Sequence, residues 1–247
     1  SGAGSRLCLP QFEQKPMIID LYGFGPALAA GALMTVQLAL TALCLGLVLG
    51  LLGALAKTSP YKSLQWLGGT YSTLVRGIPE LLWVLLIYFG TVNLMRAIGE
   101  FFGTPDLALN AFAAGVIALG LCFGAYATEV FRGAILAIPR GHREAGQALG
   151  LSKVRIFWRI ILPQMWRIAL PGLGNLFMIL MKDTALVSVI GLEEIMRRSQ
   201  IAVSLSKEPF HFFLIAAFIY LSLTVLAMTA MHFLEQRASR GFKRSAS

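Results

Sequence analysis

Charge is what this sequence has least of. Only 13% of its 247 residues are Asp, Glu, Lys or Arg, and 57% are hydrophobic. Ordinary soluble domains are about 25% charged and about 45–50% apolar, so a disordered chain and most soluble enzymes are excluded. Three cysteines (Cys8, Cys44 and Cys122) are too few and too scattered for a disulfide framework or a metal site. Cys44 and Cys122 fall inside apolar runs and read as buried structural thiols. The chain lacks a G-x-x-x-x-G-K-[S/T] loop, and the run Gly150-Leu151-Ser152-Lys153 has the wrong order for one. It therefore cannot cradle nucleotide phosphates itself. Ser/His/Asp, paired-carboxylate and H-E-x-x-H patterns are missing as well, which leaves no catalytic centre. His211 and His232 are separated by 21 residues, ~32 Å along a helix, and cannot share a metal or a proton.

The formal net charge is +9, which would suit a nucleic-acid binder if the basic residues gathered on one face. They instead punctuate long apolar runs, and the pattern is one of membrane topology. Residues 1–16 differ from the rest: polar, aperiodic and without a signal-peptide core. They are expected to be a cloning remnant or a disordered extension, with Met17 as the native start. Residues 17–247 then form a single domain whose core lies at about 26–234.

Five spans are expected, making the chain an all-α membrane protein. A helix crossing the hydrocarbon core needs ~20 apolar residues. Between Asp20 and Lys57 lie 36 uncharged residues, and Pro26 suits a first helical turn over 26–56. There Gly46 and Gly50 share one face and permit close helix contact. The second span is 78–95, with Glu80 read as a helix-start charge. The third is 107–128, ended by Glu129, which is expected to pair with Arg132. The fifth is 210–234. The fourth is interrupted by Pro163, Arg167, Pro171, Gly172 and Gly174, and is continuous only over 168–181. Lys182-Asp183 and a second apolar piece, 184–192, follow. A span broken in this way is expected where backbone lines a cavity. Loops 57–79 and 129–164 and the tail after Leu234 hold 13 of the 21 Lys and Arg, and the opposite side holds 7. The N-terminus is accordingly expected outside and the C-terminus in the cytoplasm.

Within the long cytoplasmic loop, a small-residue helix over 144–149 stops at Gly150, a residue that takes positive φ without cost. Ser152 can cap a second helix carrying Arg155 and Arg159. A helix–glycine–helix knob of this kind suits docking by a cytoplasmic partner. Asp183 is the acid placed at the break, where it would serve a cationic ligand with Thr184 and Ser188 as donors. Equally, it would serve as a structural partner of Lys182 or Arg167.

Glu144-Ala145-Gly146, Gly150 four residues on, and Ile160, Leu162 and Pro163 at the far end resemble the EAA signature of bacterial ABC-importer permease subunits. Gly146 replaces the second alanine of that pattern. Arg76-Gly77-Ile78-Pro79-Glu80, Gly124-Ala125-Tyr126, Leu170-Pro171-Gly172-Leu173-Gly174-Asn175 and Lys182-Asp183-Thr184-Ala185-Leu186-Val187-Ser188 resemble its polar amino-acid branch. Gly141-His142 and Gly241-Phe242-Lys243-Arg244 are most similar to permeases for basic amino acids (histidine, lysine, arginine, ornithine) or opines. The resemblance implies a type I importer permease fold in a bacterial inner membrane. It also implies two ATP-binding cassette ATPase subunits, a second permease subunit (identical or not) and an extracytoplasmic solute-binding protein. Nucleotide would be bound by the ATPases, so the chain itself would be no enzyme and need no cofactor, and lipid, not nucleic acid, would surround it. Glu144, Ala145, Gly146, Gly150 and Leu151 would make the ATPase contact. Asp183, Thr184, Ser188, Lys182 and Asn175 would border the substrate pathway. A self-sufficient secondary transporter or channel is the alternative, disfavoured by the absence of a visible repeat.

Overall fold

The computed structural model describes residues 23–102 and 110–239, and all regular structure in them is helical. Residues 1–16, Met17, the segment 241–244 and the start of the expected third span lie outside the described residues. Helix α1 (Gly25–Lys57) is followed by α2 (Lys62–Gly77), α3 (Glu80–Phe102) and α4 (Ala111–Ala137). Then come α5 (Arg140–Ala148), a one-turn α6 (Lys153–Ile156), a π-turn (Phe157–Ile161) and α7 (Leu162–Asp183). A 3₁₀ segment (Thr184–Ile190), α8 (Ile195–Ser206) and α9 (Pro209–Ser239) complete the chain. Among the described residues four helical runs are long and apolar enough to cross a membrane, and five if the bent pair α2/α3 is one span.

The centre is α4, packed most extensively against α1. Small residues make that contact possible. A Cβ on Gly46 would stand 2.9 Å from the Gly120 carbonyl oxygen, one on Gly50 2.6 Å from Ala127 Cβ, and one on Gly53 would run into Thr128 Oγ1. From the other side Gly120 and Gly124 receive Leu45 and Leu49. The Gly46/Gly50 face expected from the sequence is therefore one end of a three-glycine ridge that brings two backbones together. Helix α4 also runs past its expected end at Glu129. It can do so because the Glu129 carboxylate pairs with Lys57 of α1 and, at 2.9 Å, with Arg132 Nε, while Lys57 Nζ donates to Ser72 Oγ at 2.9 Å. The expected Glu129–Arg132 pair is present, with Lys57 as its unforeseen third member.

Two expectations for the spans need correction. Residues 57–79 are not a loop. Helix α2 runs antiparallel to α4, with Gly68 against Gly53 and Lys57, Tyr71 donating to the Leu121 carbonyl at 2.8 Å, and Val75 packed with Cys122. Only Ile78 and Pro79 interrupt it before α3, at a bend of 104°. Ile78 is extended, as a residue before proline prefers. Proline brings no N–H for the Val75 carbonyl, and the Trp83 indole donates to that carbonyl instead, at 3.1 Å.

The fourth span, for its part, is not broken at Pro171. Helix α7 continues through it, and Gly172 faces Val130 of α4. Pro163 is not preceded by a loop either: helical backbone runs into it from Lys153. The π-turn ahead of it, in which the Leu162 amide reaches the Phe157 carbonyl, places proline in the first turn of α7. The real break is at Thr184, where α-helix becomes 3₁₀, and the segment ends at Gly191 with φ 91°. Cys44, expected to be buried, is exposed; Cys122 is buried.

Gly50→Val is expected to cost ~1–3 kcal/mol by overpacking the α1–α4 contact, read as a lowered Tm of the detergent-solubilised protein. Gly69→Ala in α2, where nothing lies within 4 Å, should leave Tm unchanged or raise it.

Candidate functional site

Both helix breaks open onto one cavity beside α4. It has a volume of about 160 Å³, and its polar groups are Glu80, Tyr126, Cys122 and Asp183, with Leu119, Phe123 and Leu180 among the apolar ones. Glu80 is the first residue of α3 and Asp183 the last of α7, so each carboxylate sits where a helix is interrupted. The Tyr126 hydroxyl donates to Glu80 Oε1 at 3.1 Å, and the Arg76 guanidinium lies 5.2 Å from the centre of the Tyr126 ring. Residues 119–126 fall in the middle of the 27-residue α4, which puts the cavity at the mid-depth of the bundle. Its lining contains no lysine or arginine. Two carboxylates, one of them at the negative end of a helix dipole, are groups whose chemistry suits a cation.

Of the five residues expected along the pathway, only Asp183 lines this cavity. Thr184 is fully buried and donates to the Met181 carbonyl at 2.7 Å, which closes the α-to-3₁₀ junction, and Ser188 is buried too. Neither offers a ligand donor here. Asn175 and Lys182 are exposed on α7, one and two turns apart on the face that also carries Ile179 of the cavity wall. Among the described residues no basic nitrogen lies within salt-bridge distance of the Asp183 carboxylate, and Arg167 borders a different cavity. Glu80 is a helix-start charge, as expected, but it is also a wall of the cavity. The sequence signal for it was the same as for Asp183: an acid directly at a helix break inside an apolar stretch.

The second feature is the knob between α4 and α7. Helix α5 ends in a Schellman motif: the Gly150 amide reaches the Gln147 carbonyl at 2.9 Å, the Leu151 amide reaches the Gly146 carbonyl at 3.1 Å, and Gly150 has φ 70°. Ser152 then caps α6, its hydroxyl accepting from the Arg155 amide at 3.4 Å. Glu144 and Ala145 are exposed. Glu144 lies beyond the first turn of α5, so a helix-dipole role does not explain it.

Gly146 departs from the outward role expected of it. It is buried, and a Cβ there would stand 2.9 Å from Ile156 Cγ1 and 3.0 Å from Ile160 Cδ1. The glycine in place of alanine seats α5 against the following helix. Leu151, half-buried, packs on the same core. What the knob presents outward, besides Glu144 and Ala145, is Leu149 (78% exposed), Val154 (66%) and Trp158 (60%). Trp158 is the apolar bulk expected on the second helix of the knob; Leu149 and Val154 were not singled out in the sequence, although unburied apolar residues on a polar knob mark a contact surface.

Gly146→Val should displace α5 and speed tryptic cleavage after Arg143 by about tenfold or more. Gly141→Ala, where nothing lies within 4 Å, should not change the rate.

Residues 42–240 match the family described as binding-protein-dependent transport system inner membrane components. The histidine/lysine/arginine/ornithine transport system permease protein HisQ of Escherichia coli is 40% identical over 225 residues, covering 91% of this chain and 99% of that protein. The octopine transport system permease protein OccQ of Rhizobium meliloti is 43% identical over 232 residues (92% and 98%). The arginine ABC transporter permease protein ArtQ of Escherichia coli is 41% identical over 233 residues (89% and 98%). Among solved structures, a chain of an amino acid ABC transporter crystallised with histidines superposes with a TM-score of 0.74 at 33% identity, covering 88% of this chain and 96% of that one. A chain of the MetNI methionine ABC transporter shares the fold, with a TM-score of 0.65 at 17% identity (87% and 95%). The sequence match, the helical bundle and its interrupted spans agree: this multi-pass membrane chain belongs to the family of binding-protein-dependent transport system inner membrane components, in its amino-acid and opine permease branch.

Proposed function

We propose that the chain forms half of the translocation pathway of an ATP-driven importer for a basic amino acid or opine. The observation that carries this is the pair Glu80 and Asp183, facing one cavity where two helices are interrupted at mid-depth. Intramembrane carboxylates are costly and are retained where they meet a cation. An ammonium or guanidinium side chain satisfies both, with the Tyr126 hydroxyl fixing the orientation of Glu80. The relatives named for histidine, lysine, arginine, ornithine and octopine support a substrate with a cationic group. Asn175 and Lys182, on the exposed face of α7, would line the route beside the second permease subunit.

Energy would come from cytoplasmic ATPase subunits that receive the α5 knob, with Glu144 offering a carboxylate to a partner's donor. Ala145, Leu149 and Trp158 supply the close apolar contact, and Gly146, Gly150 and Leu151 hold the knob's shape. Motion of α5 then passes to α7 through the continuous helical run 153–183, whose far end carries Asp183. The excess of Lys and Arg beside α5 and after Leu234 supports a cytoplasmic C-terminus and an external N-terminus in a bacterial inner membrane. Arg76, at the mid-depth bend, drops out of that tally without changing its sign. An extracytoplasmic solute-binding protein would deliver the ligand on the opposite side.

Proteoliposomes holding the chain with its ATPase, second permease and binding protein should accumulate arginine or histidine only with ATP. Asp183→Asn should lower uptake of the cationic substrate by about ten- to hundredfold, more than that of a neutral amino acid. Glu144→Lys should abolish uptake while the permease still reaches the membrane. Ion-gradient-driven accumulation by the chain alone would overturn the proposal.

A further inference from the structure

A further cavity, of about 350 Å³, lies between the α5 knob and the ends of α1 and α4. Its rim is basic. Arg143 and Gln147, one turn apart on α5, and Lys153, the first residue of α6, line it and are exposed. Its floor is apolar: Leu55 of α1, Ile135 of α4 and Phe157 of the π-turn. No carboxylate lines the cavity, and among the described residues none lies within salt-bridge distance of Arg143 or Lys153. The space exists because α5 is seated by Gly146 on Ile156 and Ile160 and packs chiefly on the segment that follows it. Between the knob and the two spans there is therefore a gap with cations on one side and aliphatic groups on the other.

The depth of this gap follows from helix lengths. Helix α1 has 33 residues, ~50 Å of helix, against a hydrocarbon core of ~30 Å and ~40–45 Å with the head groups included. Leu55 is two residues from the end of α1, and Ile135 two from the end of α4. The floor thus falls where hydrocarbon gives way to head groups. Tyr61 and Trp66, exposed just after α1 ends, are the aromatic residues expected at that boundary.

We propose that this cavity binds the head group of an anionic phospholipid, which bridges the knob to α1 and α4. This rests on the reading of the chain as membrane-spanning, and not on its substrate or on the ATPase contact. The phosphodiester accepts charge-assisted hydrogen bonds from the Arg143 guanidinium and the Lys153 ammonium, and another from the Gln147 amide. The upper part of an acyl chain covers Leu55, Ile135 and Phe157. A soluble phosphate would use the rim and leave that floor uncovered. A choline head group would bring a third cation beside two others. Basic pockets at the ends of spans hold anionic head groups for the same reasons.

The test is native mass spectrometry of the full chain, purified with the subunits that accompany it, in detergent doped with equal phosphatidylglycerol and phosphatidylcholine. The wild type should retain phosphatidylglycerol over phosphatidylcholine by about tenfold or more. Arg143→Gln with Lys153→Gln should bring the ratio close to one. Arg155→Gln with Arg159→Gln removes the same charge from positions that do not line the cavity, and should leave the ratio as it was. Leu55→Trp fills the floor without changing charge and should lower retention of both lipids, so the result does not depend on the Arg143/Lys153 variant folding. A wild-type ratio near one would overturn the proposal, the cavity then being filled by a partner subunit or by solvent. So would an equal loss of preference in the two charge variants, which is the behaviour of a diffuse basic surface. Displacement of phosphatidylglycerol by excess inorganic phosphate would overturn it too, because the site would then need no acyl component.

Discussion

In hydrocarbon an unpaired backbone carbonyl has no water to turn to, so a helix can be interrupted only where protein groups take up what the interruption frees. That constraint organises this molecule. Pro79 leaves the Val75 carbonyl without its amide, and the Trp83 indole replaces it. Where α7 tightens to 3₁₀ geometry, the Thr184 hydroxyl takes the Met181 carbonyl. Both repairs are made against α4, the most buried span, and they leave Glu80 and Asp183 at neighbouring helix ends. The polar cavity follows from the two breaks being side by side.

Holding the breaks there depends on how closely α1 and α4 approach. Gly46, Gly50 and Gly53 let the α1 backbone lie against α4, which leaves the opposite side of α4 for α3 and α7. At one end of the contact, Lys57, Ser72, Glu129 and Arg132 form a half-buried cluster linking α1, α2 and α4. At the other, the buried Glu194 carboxylate accepts from the Met196 and Arg197 amides at 2.9 Å and from the Tyr220 hydroxyl at 2.6 Å, tying α8 to α9. The same connection holds α8 to α1, where the Ile195 amide meets the Thr35 hydroxyl at 3.4 Å. Charge is scarce in this chain, and several of the charged side chains within the bundle work as fasteners between helices.

The knob shows how one signature can combine two physical tasks. Gly150 serves the backbone, because only a residue at ease with positive φ completes the Schellman turn. Gly146 serves packing, because Ile156 and Ile160 occupy the place of its missing Cβ. Gly146 is buried and Gly150, though exposed, has no side chain, so the outward chemistry is left to Glu144, Ala145, Leu149 and Trp158. A motif read along the chain does not separate these roles; burial does.

The sequence by itself determined the helical membrane class, the place and sidedness-relevant charge of the long loop, the Gly150 turn with its Ser152 cap, and the break beside Asp183. All of these are local: an apolar run of spanning length, a glycine at a helix end, an acid between apolar pieces. The tertiary structure decided that 62–77 is helix and not loop, that Pro171 is tolerated, and that Thr184 and Ser188 are buried away from the cavity. It also decided that Glu80 faces Asp183 across about a hundred residues of chain. Those outcomes depend on which helix lies alongside which, and on who receives each freed carbonyl. Such a choice is made among distant segments competing for the same face of α4, and periodicity along one segment carries no record of it.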